Sequence, residues 1–385
     1  MDRIYLDYAA TTPLDRRVFA KMEPFFTQDF GNPSSIHTFG QQAEAAVDNA
    51  RTGIAGMFHV STDGVIFTSG GSESDNLAVR GTALWQRRTH GKNKIITSPV
   101  EHHAVLATVE QLGDAYGFDV HLVKVDRSGK VDLTDLERLI DEDTAVVSII
   151  FANNEIGTIN PVSEIAEVCH RKGAIFHSDA VQAAAHLEFD LENSPIDLIS
   201  IGAHKFYGPK GVGALVSRKK PELFPQITGG KQENGLRAGT HNVPSIVGMA
   251  EALLLAREGM AVRSPELTHM RDRLIERVTE EIPGAMVTGD LKERLPNHAS
   301  FVFESVDGNR LLVQLDMAGF ACSSGSACKT GDPQPSDVLL ALGIEPKLAL
   351  GSLRVTLGSG TTDEHIDSFT RALPGLIEAN RKRNS

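Results

Sequence analysis

The sequence predicts an α/β fold, a mostly parallel sheet flanked by helices, with a smaller α+β unit. Short β-rich runs recur through its central two-thirds: Val65 to Thr68, Lys94 to Thr97, Val120 to Val123, Ala145 to Ile150, Ala174 to His177 and Leu198 to Ile201. Helical patterns such as Ser72 to Trp85 and Val162 to Arg171 separate most of them, and this alternation is the signature of crossover units that build parallel sheets. After the turn-rich Gly229-Gly230 to Gly235 stretch the pattern changes. A long helical region from Pro244 to about Glu281 is followed by a strand-like His298 to Phe303, a helix-like Gly308 to Met317, a cysteine-bearing loop, a strand at Ser352 to Leu357 and a closing helix from Thr362. With fewer parallel crossovers, this part reads as α+β. The expected division is a large unit over 15–257 and a small one made of 1–14 and 258–385.

Composition narrows the function classes. At 385 residues and 41% hydrophobic content the chain can bury a sizeable core. A net charge of -12, with no basic stripe longer than Arg381-Lys382-Arg383, argues against a nucleic-acid surface. No apolar run approaches the ~18 residues of a membrane span, and the start Met1-Asp2-Arg3-Ile4 lacks a signal-peptide core, so a cytoplasmic location is expected. Cys169, Cys322 and Cys328 have no CxxC spacing; they read as reduced thiols, with Cys169 on the apolar side of a helix as core.

Several segments carry candidate chemistry. Cys328 lies in Ala321-Cys322-Ser323-Ser324-Gly325-Ser326-Ala327-Cys328-Lys329-Thr330-Gly331, small and polar surroundings that suit a moving thiol better than a packed one. Lys205 follows the run Leu198 to Ile201, in Ala203-His204-Lys205-Phe206, where a lysine can hold an aldehyde cofactor as a Schiff base. Phe67-Thr68-Ser69-Gly70-Gly71-Ser72 leads from a strand into a helix whose first turn has free N–H groups, an anion site to which Ser72 adds a hydroxyl; a plain N-cap is the bland alternative. Asp179 ends another strand, placed either to keep a pyridine nitrogen protonated or to cap the next helix, and Gln182 follows three residues on. His102, of the pair His102-His103, suits stacking on an aromatic cofactor; no matching ligand set accompanies it, so no metal is expected. Asn154 follows the strand ending at Phe151. Arg354 is a charge inside a strand, to be met either by a substrate carboxylate or by a structural ion pair.

In this order the segments closely resemble the cysteine desulfurases of the class V aminotransferase group, in the branch with a Ser-Ser-Gly-Ser-Ala-Cys loop. The likeness spans nearly the whole chain and includes Tyr5-Leu6-Asp7-Tyr8-Ala9-Ala10-Thr11-Thr12-Pro13, Gly31-Asn32-Pro33-Ser34-Ser35, Glu101-His102-His103-Ala104-Val105, Asn153 to Gly157, His177 to Gln182, Ala203 to Gly211 and Arg237-Ala238-Gly239-Thr240. The resemblance implies a homodimer of fold type I with pyridoxal 5'-phosphate bound in the large unit. It implies Lys205 as Schiff-base lysine and proton shuttle, His102 as stacking residue and acid or base, Asp179 at the ring nitrogen and Gln182 at the phenolic oxygen. Gly71, Ser72 and His204 would hold the phosphate, helped by Thr240 of the neighbouring subunit, and Asn154 and Arg354 the substrate carboxylate.

The implied reaction converts L-cysteine to L-alanine. Lys205 moves the α-proton, and the Cys328 thiolate takes the sulfur as a persulfide for an acceptor such as an iron–sulfur scaffold or a thiolation system. Two departures stand out. Gly202 occupies the position where the phosphate strand usually offers a serine, and the chain stops at Ser385 without the longer tail by which some relatives dock a scaffold. An aminotransferase or decarboxylase would share Lys205 and Asp179 without needing Cys328, selenocysteine lysis could coexist with desulfuration, and a silent assembly platform would not need the intact set.

Overall fold

The computed structural model describes residues 3–325 and 334–383. Cys328 therefore lies outside the described residues. The strands are β1 (Ile4–Tyr5), β2 (Val65–Thr68), β3 (Lys94–Thr97), β4 (Asp119–Leu122), β5 (Thr144–Ser148), β6 (Ile175–Asp179), β7 (Leu198–Gly202), β8 (Gly213–Ser217), β9 (Ala285–Val287), β10 (His298–Phe303), β11 (Phe320–Ala321) and β12 (Ser352–Thr356).

Seven of them form one sheet in the order β2-β8-β7-β6-β5-β3-β4. All its pairs are parallel except those of β8, which runs against both β2 and β7. β5, β7 and β8 are buried along their whole length and β6 from Phe176 onward, as strands covered by helices on both faces must be. Cys169 is fully buried in the large core beside this sheet, as the sequence predicts.

A three-stranded antiparallel sheet, β12-β10-β9, packs with the helices Met260–Glu281, Gly308–Met317 and Asp363–Arg381 around a second core that includes Leu6, Phe301, Leu353 and Phe369. The long helical region expected from Pro244 to Glu281 is two helices, Val243–Glu258 and Met260–Glu281, parted at Gly259. The N-terminal segment joins the two sheets. β1 pairs with β11, Asp7 bridges to Thr356 of β12, and Thr12 bonds the backbone of His204 and Tyr207 beyond β7. Among the described residues no helix is long and apolar enough to cross a membrane.

Candidate active site

A cavity of about 280 Å³ opens at the carboxyl ends of β3, β5, β6 and β7, the edge at which open α/β sheets bind ligands. Each of these strands hands over a side chain soon after it ends. Asp179 closes β6, Lys205 follows β7 in a single 3₁₀ turn (Ala203–Lys205), His102 follows β3 and Asn154 follows β5. Ser72 and Gly71 come from the helix Gly71–His90, and Arg354 reaches in from β12. Gln182 and His204 complete the predicted residues that the fold brings together.

Lys205 Nζ donates to the carbonyls of Ala9 at 2.6 Å and Ala10 at 2.8 Å. Burial, reinforced by the Arg354 cation, lowers its pKa to about 8, so roughly a tenth of the amine is uncharged at pH 7, against well under a thousandth for a free lysine. The rate at which cofactor-free protein condenses with an aldehyde is expected to rise through pH 8, well below an ordinary lysine. Stopped-flow absorbance across pH 6.5 to 9.5 is the measurement, and a midpoint near 10.4, the free lysine value, would remove the assignment.

His102 caps the helix His103–Tyr116: its Nδ1 accepts the Ala104 N–H at 3.1 Å, which leaves Nε2 as the ring's other polar atom. The ring is open to the cavity yet crowded by protein, and this desolvation lowers its pKa while Asp179 opposes the shift. His103 does not line this cavity. Burial raises the Asp179 pKa, opposed by His102, by the Val181 N–H that donates to Oδ1 at 2.9 Å and by Lys205. Gln182 donates to the Ala9 carbonyl at 2.9 Å, so the amide reading from sequence finds its first partner in backbone. His204, lowered by burial and by Lys205 to about 4, is neutral, and its Nδ1 lies 3.2 Å from Thr11 Oγ1.

The glycine pair before Ser72 has a steric explanation. Gly70 adopts φ 154° and ψ 179°, a region for glycine, and a Cβ on Gly71 would meet Val181 Cγ2 at 2.6 Å. Among the described residues no side chain caps this helix, so its first N–H groups remain for an anion. Gly202 has ordinary extended geometry, and a Cβ there would approach the Gly71 nitrogen no closer than 3.4 Å.

Arg354 satisfies the bland expectation in part. Its Nη2 pairs with Asp7 Oδ1 at 2.9 Å and its Nη1 donates to the Asn154 carbonyl at 3.0 Å, while the buried Nε has no partner among the described residues. Ser323 exchanges two backbone hydrogen bonds with Arg354 and donates through its hydroxyl to Asp7 at 2.7 Å. Sequence reading missed Asp7, His298 and Asp75. His298 Nε2 donates to the Asn154 carbonyl at 3.0 Å and thereby fixes the turn carrying Asn154; nothing at the start of β10 signals this. Asp75, one turn after Ser72, could have been found from that spacing. Thr240 is exposed and lies outside the cavity, on a segment tied by Arg237 to Glu73 at 2.9 Å.

Residues 4–369 match the class-V aminotransferase family. The chain is 46% identical over 375 residues to the cysteine desulfurase IscS of Dictyoglomus turgidum, covering 97% of this chain and 94% of that one. It is 43% identical over 382 residues to the cysteine desulfurase IscS of Clostridium botulinum strain Hall, covering 99% and 96%. A solved NifS-like protein superposes with a TM-score of 0.91 at 37% identity, over 98% of this chain and 100% of that one. SspA in complex with cysteine does so with a TM-score of 0.80 at 34% identity, over 92% and 98%. The α/β fold with its mainly parallel sheet, the cavity at the strand ends and these full-length likenesses place the chain in the class-V aminotransferase family, among the cysteine desulfurases.

Proposed function

We propose that the protein uses pyridoxal 5'-phosphate to convert L-cysteine to L-alanine, transferring the sulfur to Cys328 as a persulfide. The observation that carries this reading is the convergence of Lys205, Asp179, His102 and Arg354 on one cavity, with Arg354 backbone-paired to Ser323. Ser323 precedes Cys328 by five residues, a chain length that reaches at most about 17 Å.

The residues fit the cofactor. Arg354 Nε is a buried polar atom with no partner among the described residues, the uncapped helix at Gly71 and Ser72 suits a phosphate, and the Gly70 conformation holds that turn. Asp179 would hold the ring nitrogen, Gln182 the phenolic oxygen, His102 the ring face, and Gly71, Ser72 and His204 the phosphate, with Thr240 of a second subunit. When bound, the group provides an electron sink at the carbon next to the amino group.

The chain's own residues then do the following. Asn154 and Arg354 orient the substrate carboxylate. Lys205, partly uncharged at neutral pH, accepts the α-proton at Nζ and returns it, and the Ala9 and Ala10 carbonyls stabilise the ammonium in between. His102 Nε2 can hold a proton near the leaving sulfur. The Cys328 thiolate forms a bond to the substrate sulfur as the carbon–sulfur bond breaks, so cysteine plus the thiol gives alanine plus the persulfide. The two cores support a division into a large unit over 15–257 and a small one of 1–14 with 258–385. A homodimer in the cytoplasm, delivering sulfur to iron–sulfur assembly or thiolation, completes the proposal.

Incubation with one equivalent of L-cysteine should give alanine and Cys328 persulfide in equal amounts. Alanine without persulfide, or persulfide mapped to another thiol, would overturn the reading.

Gly202→Ser provides a second check. The backbone accommodates a side chain directed toward Gly71, and a hydroxyl bonded to a charged phosphate contributes about 1.5 kcal/mol. The cofactor dissociation constant should therefore fall by about tenfold, measured by absorbance titration.

A further inference from the structure

Asp75 lies on the helix Gly71–His90 and lines the cavity, although it is only 1% exposed. Its Oδ1 has no hydrogen-bond partner among the described residues. The groups that face it come from three strands of the sheet. β6 brings Asp179 and His177, β7 brings the Ser200 hydroxyl, and the segment after β3 brings Glu101. Donor atoms of Asp75, His102 and Asp179 lie within 4.8 Å of one another.

Two carboxyl groups this close and this buried do not both ionise, because repulsion and lost hydration place a proton on one of them. Their surroundings decide which. Asp179 accepts the Val181 N–H and faces His102 and Lys205, both able to carry positive charge. Among the described residues Asp75 has only the Ser200 hydroxyl. His177 offers it no cation: its Nε2 is 3.7 Å from Asp75 Oδ1, its ring nitrogens contact the Ser148 and Ser200 hydroxyls at 2.9 Å each, and burial depresses its pKa to about 3. Glu101, also buried and pushed up to about 8, offers Asp75 no cation and repels it whenever it ionises.

We propose that Asp75 is a positioning residue for the cofactor's ring nitrogen: it carries the proton of the carboxyl pair and leaves Asp179 as the single anion available to that nitrogen. This rests on the reading of the cavity as a pyridoxal-phosphate site. Asp75 thus acts through Asp179, and its neutral form is the functional one.

The neutral isostere Asp75→Asn separates this role from that of a second anion. In the holoenzyme the cofactor dissociation constant and the pH profile of its visible absorbance should stay within about threefold of the unaltered protein at neutral pH. Infrared difference spectra should show the loss of one carboxylic-acid C=O band at pH 7, distinct from the band removed by Glu101→Gln. An untouched acid band, or a cofactor dissociation constant raised more than about tenfold with the absorbance profile moved to lower pH, would overturn the proposal, since that is the signature of a lost anion. Should Asp75→Asn fail to fold, the Glu101→Gln, Glu155→Gln double variant decides, because Glu155 is the other carboxyl group near the site whose pKa burial raises. An acid band remaining at pH 7 supports a shared buried proton, and its absence overturns it. The infrared signal is read in cofactor-free protein as well. A protein that forms no coloured complex therefore counts against the site reading, whereas a missing acid band counts against Asp75.

Discussion

Lys205→Ala is expected to abolish covalent cofactor attachment and to lower alanine production from cysteine by on the order of 10³-fold or more, because one side chain supplies both the anchoring amine and the proton carrier. The nearest alternative in sequence, Lys210, does not line the cavity. Borohydride reduction followed by peptide mapping should place the label on Lys205 in the unaltered protein and find none in the variant. A label on Lys210 would show that the cavity has been assigned the wrong amine. Added alkylamines should restore a small part of the activity if the missing element is the proton carrier.

Cys328→Ser should remove persulfide entirely and lower alanine release by on the order of 10³-fold, while cofactor absorbance and its perturbation by cysteine persist. Cys322→Ser is the informative companion. The Cys322 side chain packs against the smaller core, and burial together with Asp7 pushes its thiol pKa upward, so almost none is thiolate at neutral pH. Its substitution should change activity less than about twofold and stability by roughly 1 kcal/mol. Single-turnover assays that quantify alanine and persulfide together distinguish the two. A dead Cys322 variant beside an active Cys328 variant would reverse the assignment.

The strands that deliver chemistry were legible because each opens on apolar residues and ends in, or is followed within a few residues by, a polar or charged one. β6 ending at Asp179 and β7 ending just before Lys205 are of this kind, and their partners across the sheet do not alter the reading. β8 was less legible. Gly213-Ala214-Leu215-Val216-Ser217 follows closely on the Gly208 to Gly211 turn, and nothing local shows that it runs against its neighbours. β1 and β11 have two residues each and no pattern of their own; they exist only because they pair with each other.

The site divides along the same line. Lys205, His102 and Asp179 announce themselves by position, whereas the Arg354–Asp7 pair joins residues 347 apart in sequence. Asp75 gave a weak local signal, its spacing from Ser72, but its meaning depends on which strand packs beneath the helix.

The stitching of the N-terminal segment also bears on how the protein is made. Ala9 and Ala10 hold Lys205, yet the strand that carries them into place pairs with Phe320–Ala321, and Asp7 and Ala9 are fixed by Arg354 and Thr356. During synthesis at about 5–20 residues per second, the first ten residues wait tens of seconds for partners that emerge last. The seven-stranded sheet can form on the ribosome well before then. Until the final strands emerge, Lys205 lacks the elements that hold Ala9 and Ala10 against it, so the completion of this site depends on the end of the chain meeting its beginning.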